Sequence, residues 1–151
     1  MQLEYVIYVS GAGQHSQYFT CYVEQITRLN LKVLKWIVGA SANNLYGPAL
    51  TCYGANGIIL WTEYRTNGVY NNHCGPAKVE YYPDGTIECV EYFMMGVTHN
   101  DYGPAVIEYY PNGAVSRVEY RKNNKLHNTH GPATIEYNLN GDVSYEEYCV
   151  C

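Results

Sequence analysis

Phenylalanine is nearly missing from this sequence, at 2 residues against 18 tyrosines. That argues against a thick oily core, because tyrosine keeps a polar tip and suits a pleated, half-wet surface. No apolar run approaches the roughly 20 residues of a membrane span. The opening MQLEYVIYVSGAG has no basic segment ahead of its short apolar run, so cytoplasmic synthesis without a secretory leader is expected. Basic stripes are also lacking. Glu63 to Glu147 hold 12 acidic and 6 basic side chains, and the net charge is −5. Nucleic acid is therefore not expected as a partner, since phosphate binding needs a basic surface, and an anionic membrane is disfavoured. Six scattered cysteines (Cys21, Cys52, Cys74, Cys89, Cys149, Cys151) fit small apolar side chains better than a disulfide framework.

What is present is a repeat. Gly-Pro-Ala recurs at Gly47, Gly75, Gly103 and Gly131, always 28 residues apart. In register with it run Tyr53, Tyr81, Tyr109 and Tyr137, then Asn56-Gly57, Asp84-Gly85, Asn112-Gly113 and Asn140-Gly141. Glu-Tyr follows at Glu63, Glu91, Glu119 and Glu147, and a polar loop carries Asn71-Asn72, His99-Asn100 and His127-Asn128. A fixed period of this size marks a repeat array. Asn-Gly or Asp-Gly between apolar runs predicts a hairpin with positive φ at both central residues, and Gly-Pro breaks the chain before the next strand. Each unit reads as strand, tight turn, strand, longer turn. The units are 45–72, 73–100, 101–128 and an incomplete 129–151, preceded by a divergent segment 1–44 that could act as a cap.

Within 1–44, Glu4-Tyr5 mimics the Glu-Tyr pair and Thr20-Cys21-Tyr22 echoes Thr51-Cys52-Tyr53. Residues 23–38 fit an amphipathic helix through Ile26, Leu29, Val33 and Ile37, and equally an alternating strand. Templating by neighbouring repeats favours the strand. In the second strand of each unit, Ile87 is out of phase with Val90 and Tyr92, which predicts a bulge near the turn. The glutamate columns choose between two geometries. Equivalent glutamates in a wound tube would stack about 4.8 Å apart, whereas a meander doubles the spacing to about 10 Å and relieves the repulsion. The expected fold is all-β, an elongated single-sheet ribbon of consecutive antiparallel hairpins.

Candidate chemistry is sparse. His127-x-x-His130 has a spacing compatible with a metal, but no thiolate or carboxylate set completes four ligands, and Asn71 fills the histidine column elsewhere. Glutamates repeated in every unit point to structure, since a catalytic pair needs two different environments in one cleft. No catalytic residue, metal or cofactor is expected. Partner contact falls to the aromatic and acidic columns: Tyr53, Tyr81, Tyr82, Tyr109, Tyr110, Tyr137, Glu80, Glu108 and Glu136. Cys149 and Cys151, on one face of a strand, are candidates for a bridge to another copy.

The pattern, clearest in YGPAVIEYYPNGAVSRVEYRKNNKLHNTHGPATIEY, resembles the variant MORN repeats of giant viruses of amoebae and some bacterial proteins. The resemblance implies a hairpin ribbon that scaffolds, dimerises or binds protein, without catalysis. The expectation is a scaffold that associates with itself or with another structural protein, in a viral particle or assembly. The competing expectation is a cellular adaptor or antitoxin-like binder that engages one foreign protein through its Tyr/Glu face.

Overall fold

A computed structural model describes the backbone of residues 3–8, 18–26, 31–38, 41–42 and 47–149, and the side chains of 31–36, 41–42 and 47–149. In chain order the strands open with β1 (Leu3–Tyr8), β2 (Tyr18–Ile26), β3 (Leu31–Val38) and β4 (Ser41–Ala42). The first full unit holds β5 (Leu50–Tyr53), β6 (Ile59–Glu63), β7 (Arg65–Thr66) and β8 (Val69–Tyr70). The second holds β9 (Lys78–Tyr81), β10 (Ile87–Glu91), β11 (Phe93–Met94) and β12 (Val97–Thr98). The third holds β13 (Val106–Tyr109), β14 (Val115–Glu119), β15 (Arg121–Lys122) and β16 (Lys125–Leu126), and β17 (Thr134–Tyr137) and β18 (Val143–Glu147) follow.

Twelve strands form one open antiparallel sheet in the order β1-β2-β3-β5-β6-β9-β10-β13-β14-β17-β18, with β4 added beside β3. The molecule is all-β, a meander of consecutive hairpins that does not close into a barrel. Its apolar seam is a cross-strand row running Thr51, Thr62, Val79, Val90, Ile107, Val118 and Ile135, each opposite the next. Side chains alternate along each strand, so Lys78, Glu80, Cys89, Glu91, Glu108, Arg117 and Glu119 share the other face.

The anticipated bulge occurs in all four hairpins from β5 to β18, where the register slips at Leu60, Glu88, Ser116 and Ser144. The turn differs from the sequence expectation. Among the central pairs only the glycines (Gly57, Gly85, Gly113, Gly141) have positive φ, so Asn or Asp closes a type I turn and glycine occupies the bulge position after it. The side chain explains the Asn/Asp choice. Asn56, Asp84, Asn112 and Asn140 each accept the N–H two residues on, from Ile58, Thr86, Ala114 and Asp142. Asp84 also accepts the Thr86 hydroxyl at 2.6 Å, and these bonds hold its carboxyl below the usual range.

The longer turn is a second hairpin. β7-β8, β11-β12 and β15-β16 are two-stranded sheets whose turns have positive φ at both central residues: Asn67-Gly68, Met95-Gly96 and Asn123-Asn124. Only one copy reads Asn-Gly in its sequence, so the column was not recognisable as a turn. These small hairpins form a second spine, because Gly68, Gly96 and Asn124 donate their N–H groups to the carbonyls of Ala42, Tyr70 and Thr98 in the unit before.

That spacing places β4 one period before β8. It shows that 31–38 and 41–42 are the second half of a repeat unit, in which the equivalents of β6 and β7 run on as one strand, β3. The strand reading of 31–38 is therefore correct and the helix is not. Residues 27–30 lie outside the described residues. Tyr22 pairs with Lys35 as Leu50 pairs with Glu63. The equivalents of Thr51-Cys52-Tyr53 are thus residues 23–25, and the echo at Thr20-Cys21-Tyr22 is three residues out of phase. The Glu4 resemblance holds, since Glu4 pairs with Tyr22 as Lys35 pairs with Leu50.

Candidate functional site

Ala49, Ala77, Ala105 and Ala133 are 0% exposed, and they mark the seam between units. Each donates its N–H to the carbonyl of the Glu in the Glu-Tyr pair, and Ala77, Ala105 and Ala133 accept from Tyr64, Tyr92 and Tyr120. The Asn of the polar loop braces this corner. Asn72, Asn100 and Asn128 donate through Nδ2 to the carbonyls of Pro76, Pro104 and Pro132 at 2.8–2.9 Å. Through Oδ1 they accept the N–H groups of Cys74, Tyr102 and His130.

The preceding column links units. Asn71 Oδ1 accepts from Met95 N, and His99 Nδ1 accepts from Asn123 N, each at the tip of the next small hairpin. An acceptor at that point is what Asn71 and His99 share, which explains how two different residues fill the position. His99 Nε2 then faces Asp101 at 3.0 Å. His130 Nδ1 meets the Thr129 hydroxyl at 2.8 Å, and the His127-x-x-His130 pair is not part of any converging ligand set among the described residues.

The nominated tyrosines are all half-buried. Tyr82 and Tyr110 donate their hydroxyls to the carbonyls of Tyr109 and Tyr137 one unit on, each at 2.7 Å. They work as clamps between units. Tyr110→Phe should cost about 1 kcal/mol, the net worth of one such bond, read as a lower urea midpoint with an unchanged far-UV spectrum.

The acidic columns meet one repeated cation, Arg65 and its equivalent Arg121 beside Glu63 and Glu119, and two that occur once, Lys78 and Arg117. Glu63 takes Arg65 Nε at 2.7 Å and the Tyr70 hydroxyl at 2.8 Å, and the Arg65 guanidinium lies over the Tyr70 ring, which stacks on Phe93. Lys78 Nζ bridges Glu80 at 3.0 Å and Glu91 at 2.9 Å, which raises its pKa. Arg117 lies between Glu108 at 3.5 Å and Glu136 at 3.7 Å and also meets Glu119. Interleaved cations thus add to the relief that the wide strand spacing gives the glutamates. Position 117 is readable as basic only in that unit, since Trp61, Cys89 and Tyr145 stand at its equivalents.

Glu80, Cys89 and Glu91 bring one sulfur and two carboxylates within 4.8 Å of one another. The Lys78 ammonium already occupies the cation position between both carboxylates. Burial, then the charges of Glu91, Glu108 and Glu80, push the Cys89 thiol up to about 12. Iodoacetamide at pH 8 should therefore label exposed Cys74 quickly and Cys89 only on unfolding, as mass mapping will show. Cys149 is half-buried, and its carbonyl accepts from Asn128 N at 3.3 Å. Cys151 lies outside the described residues.

Two open grooves of about 630 and 660 Å³ repeat one period apart. The first has Tyr92, Phe93, Met94, Tyr102 and Ile107 where the second has Tyr120, Arg121, Lys122, His130 and Ile135. Sequence columns missed the two most exposed large apolar groups among the described residues, Tyr102 at 99% in these grooves and Met95 at 68% on the tip of the small hairpin outside their lining. Met95 is the one non-Asn, non-Gly residue at positive φ (53°) among the described residues, in the column of Asn67 and Asn123. Met95→Asn should stabilise the protein by about 0.5–1 kcal/mol, measured as a raised urea midpoint.

No protein-family model matches the chain, and no curated protein and no solved structure matches it.

Proposed function

We propose that this chain is a non-catalytic repeat scaffold that associates with itself or with another structural protein, in a viral particle or comparable assembly. One observation carries the reading. The sheet is open, and its last strand, β18, is exposed at every residue while its equivalents β10 and β14 are partly buried. An unpaired edge presents a row of backbone donors and acceptors to another chain. The polar-loop asparagines, His99 and Glu136 support the same reading, because their side chains join one unit to the next. The resemblance of the repeat to variant MORN repeats is what suggests the viral setting. Sedimentation equilibrium over a wide concentration range tests self-association. A species that grows with concentration is expected, and a monomer throughout, with no structural protein recovered alongside it from the native source, would overturn the proposal.

A further inference from the structure

The direction of the two sheet edges restricts how copies can join. Ten antiparallel steps separate β1 from β18, so the two edges run the same way. A translated copy would therefore set its β1 parallel to β18. A copy turned over to make that pair antiparallel would put the Val79-Val90-Ile107 row on the opposite side. Only rotation about an axis normal to the sheet gives an antiparallel pair with both faces continuous; it joins like edges, β1 to β1 or β18 to β18, and β18 is the edge seen to be exposed at every residue. Such a contact is isologous and closes as a dimer.

We infer that the chain self-associates through β18 pairing antiparallel with β18 of a second copy about a two-fold axis at Tyr145. This rests on the self-association proposed above. Centred on Tyr145, the register pairs the whole strand. Glu146 falls opposite Ser144 of the second copy, and Glu147 falls opposite Val143 of the second copy. Centring on Glu146 or Glu147 would set a glutamate against its own image, which is destabilising. Tyr145 meets its own image, and aromatic cross-strand pairs are favourable. The exposed Val143 and Tyr145 side chains are then covered.

Disulfide trapping tests the arrangement on the full chain. Tyr145→Cys under mild oxidation should give a covalent dimer whose mapped link joins residue 145 to residue 145, a distance that a cross-strand pair spans. Glu4→Cys, on the opposite edge, should give no such product. A dimer linked through position 4 in the Glu4→Cys protein, or a dimer of the Tyr145→Cys protein joined only elsewhere, would overturn the β18 interface and leave self-association standing. Sedimentation of the unsubstituted protein as a monomer at every concentration would overturn both.

Discussion

Glu119→Ala should lower stability by about 2–3 kcal/mol. Glu119 is 4% exposed, the most deeply buried carboxylate among the described residues, and it receives both Arg117 and Arg121. Removing it leaves two guanidinium groups without their shared anion. Arg117 and Arg121 are about one-third exposed, so water recovers part of the loss, which places the effect below the full range for a buried pair. The Glu119 carbonyl also accepts from Ala105, a backbone bond that the substitution spares. The change should therefore appear as a lower urea midpoint without loss of β signal. Glu147→Ala is the internal control. That side chain is exposed at the equivalent position with no cation paired to it among the described residues, and its loss should move the midpoint little.

Ala105→Leu should be comparably damaging, at about 3 kcal/mol. The residue is 0% exposed, and its backbone is held on both sides by Glu119 and Tyr92. Three added carbons must displace either the Asn100-braced loop or the neighbouring strand. Because repeat units are stabilised by their neighbours, the damage should spread along the array from the seam between the second and third units. Hydrogen exchange read residue by residue should show faster exchange at Tyr92 and Ala105 than in β2 and β3. Ala105→Gly fits the space, and should cost only about 1 kcal/mol.

How far the sequence reveals this architecture depends on the kind of signal. The hairpin meander was legible because Gly-Pro-Ala and Asn-Gly recur at one pitch, and the bulge was legible from the phase of Ile87 against Val90. The turn type was not, because Asn-Gly serves both a double positive-φ turn and a type I turn followed by glycine. The small hairpins were hidden for the opposite reason: Asn67-Gly68, Met95-Gly96 and Asn123-Asn124 meet one backbone requirement with three different pairs. Two of the tyrosines singled out from the sequence have a role within the sheet. Tyr82 and Tyr110 reach backbone carbonyls of the next unit, whereas the fully exposed Tyr102 occupies a column that also holds Cys74 and His130. The cations opposite the glutamates were legible only in part: Arg65 and Arg121 share a column and each meets the Glu two residues before it, whereas Lys78 and Arg117 stand where the other units hold uncharged residues.

The strands are joined as hairpins side by side, with no described unit wound onto its own equivalent. A nuclear Overhauser spectrum of the labelled protein tests this directly. Backbone cross-peaks are expected between Val90 and Ile107 and between Val118 and Ile135, the partners across neighbouring strands. Cross-peaks between Val79 and Ile107, one full period apart, would show a wound tube and contradict it.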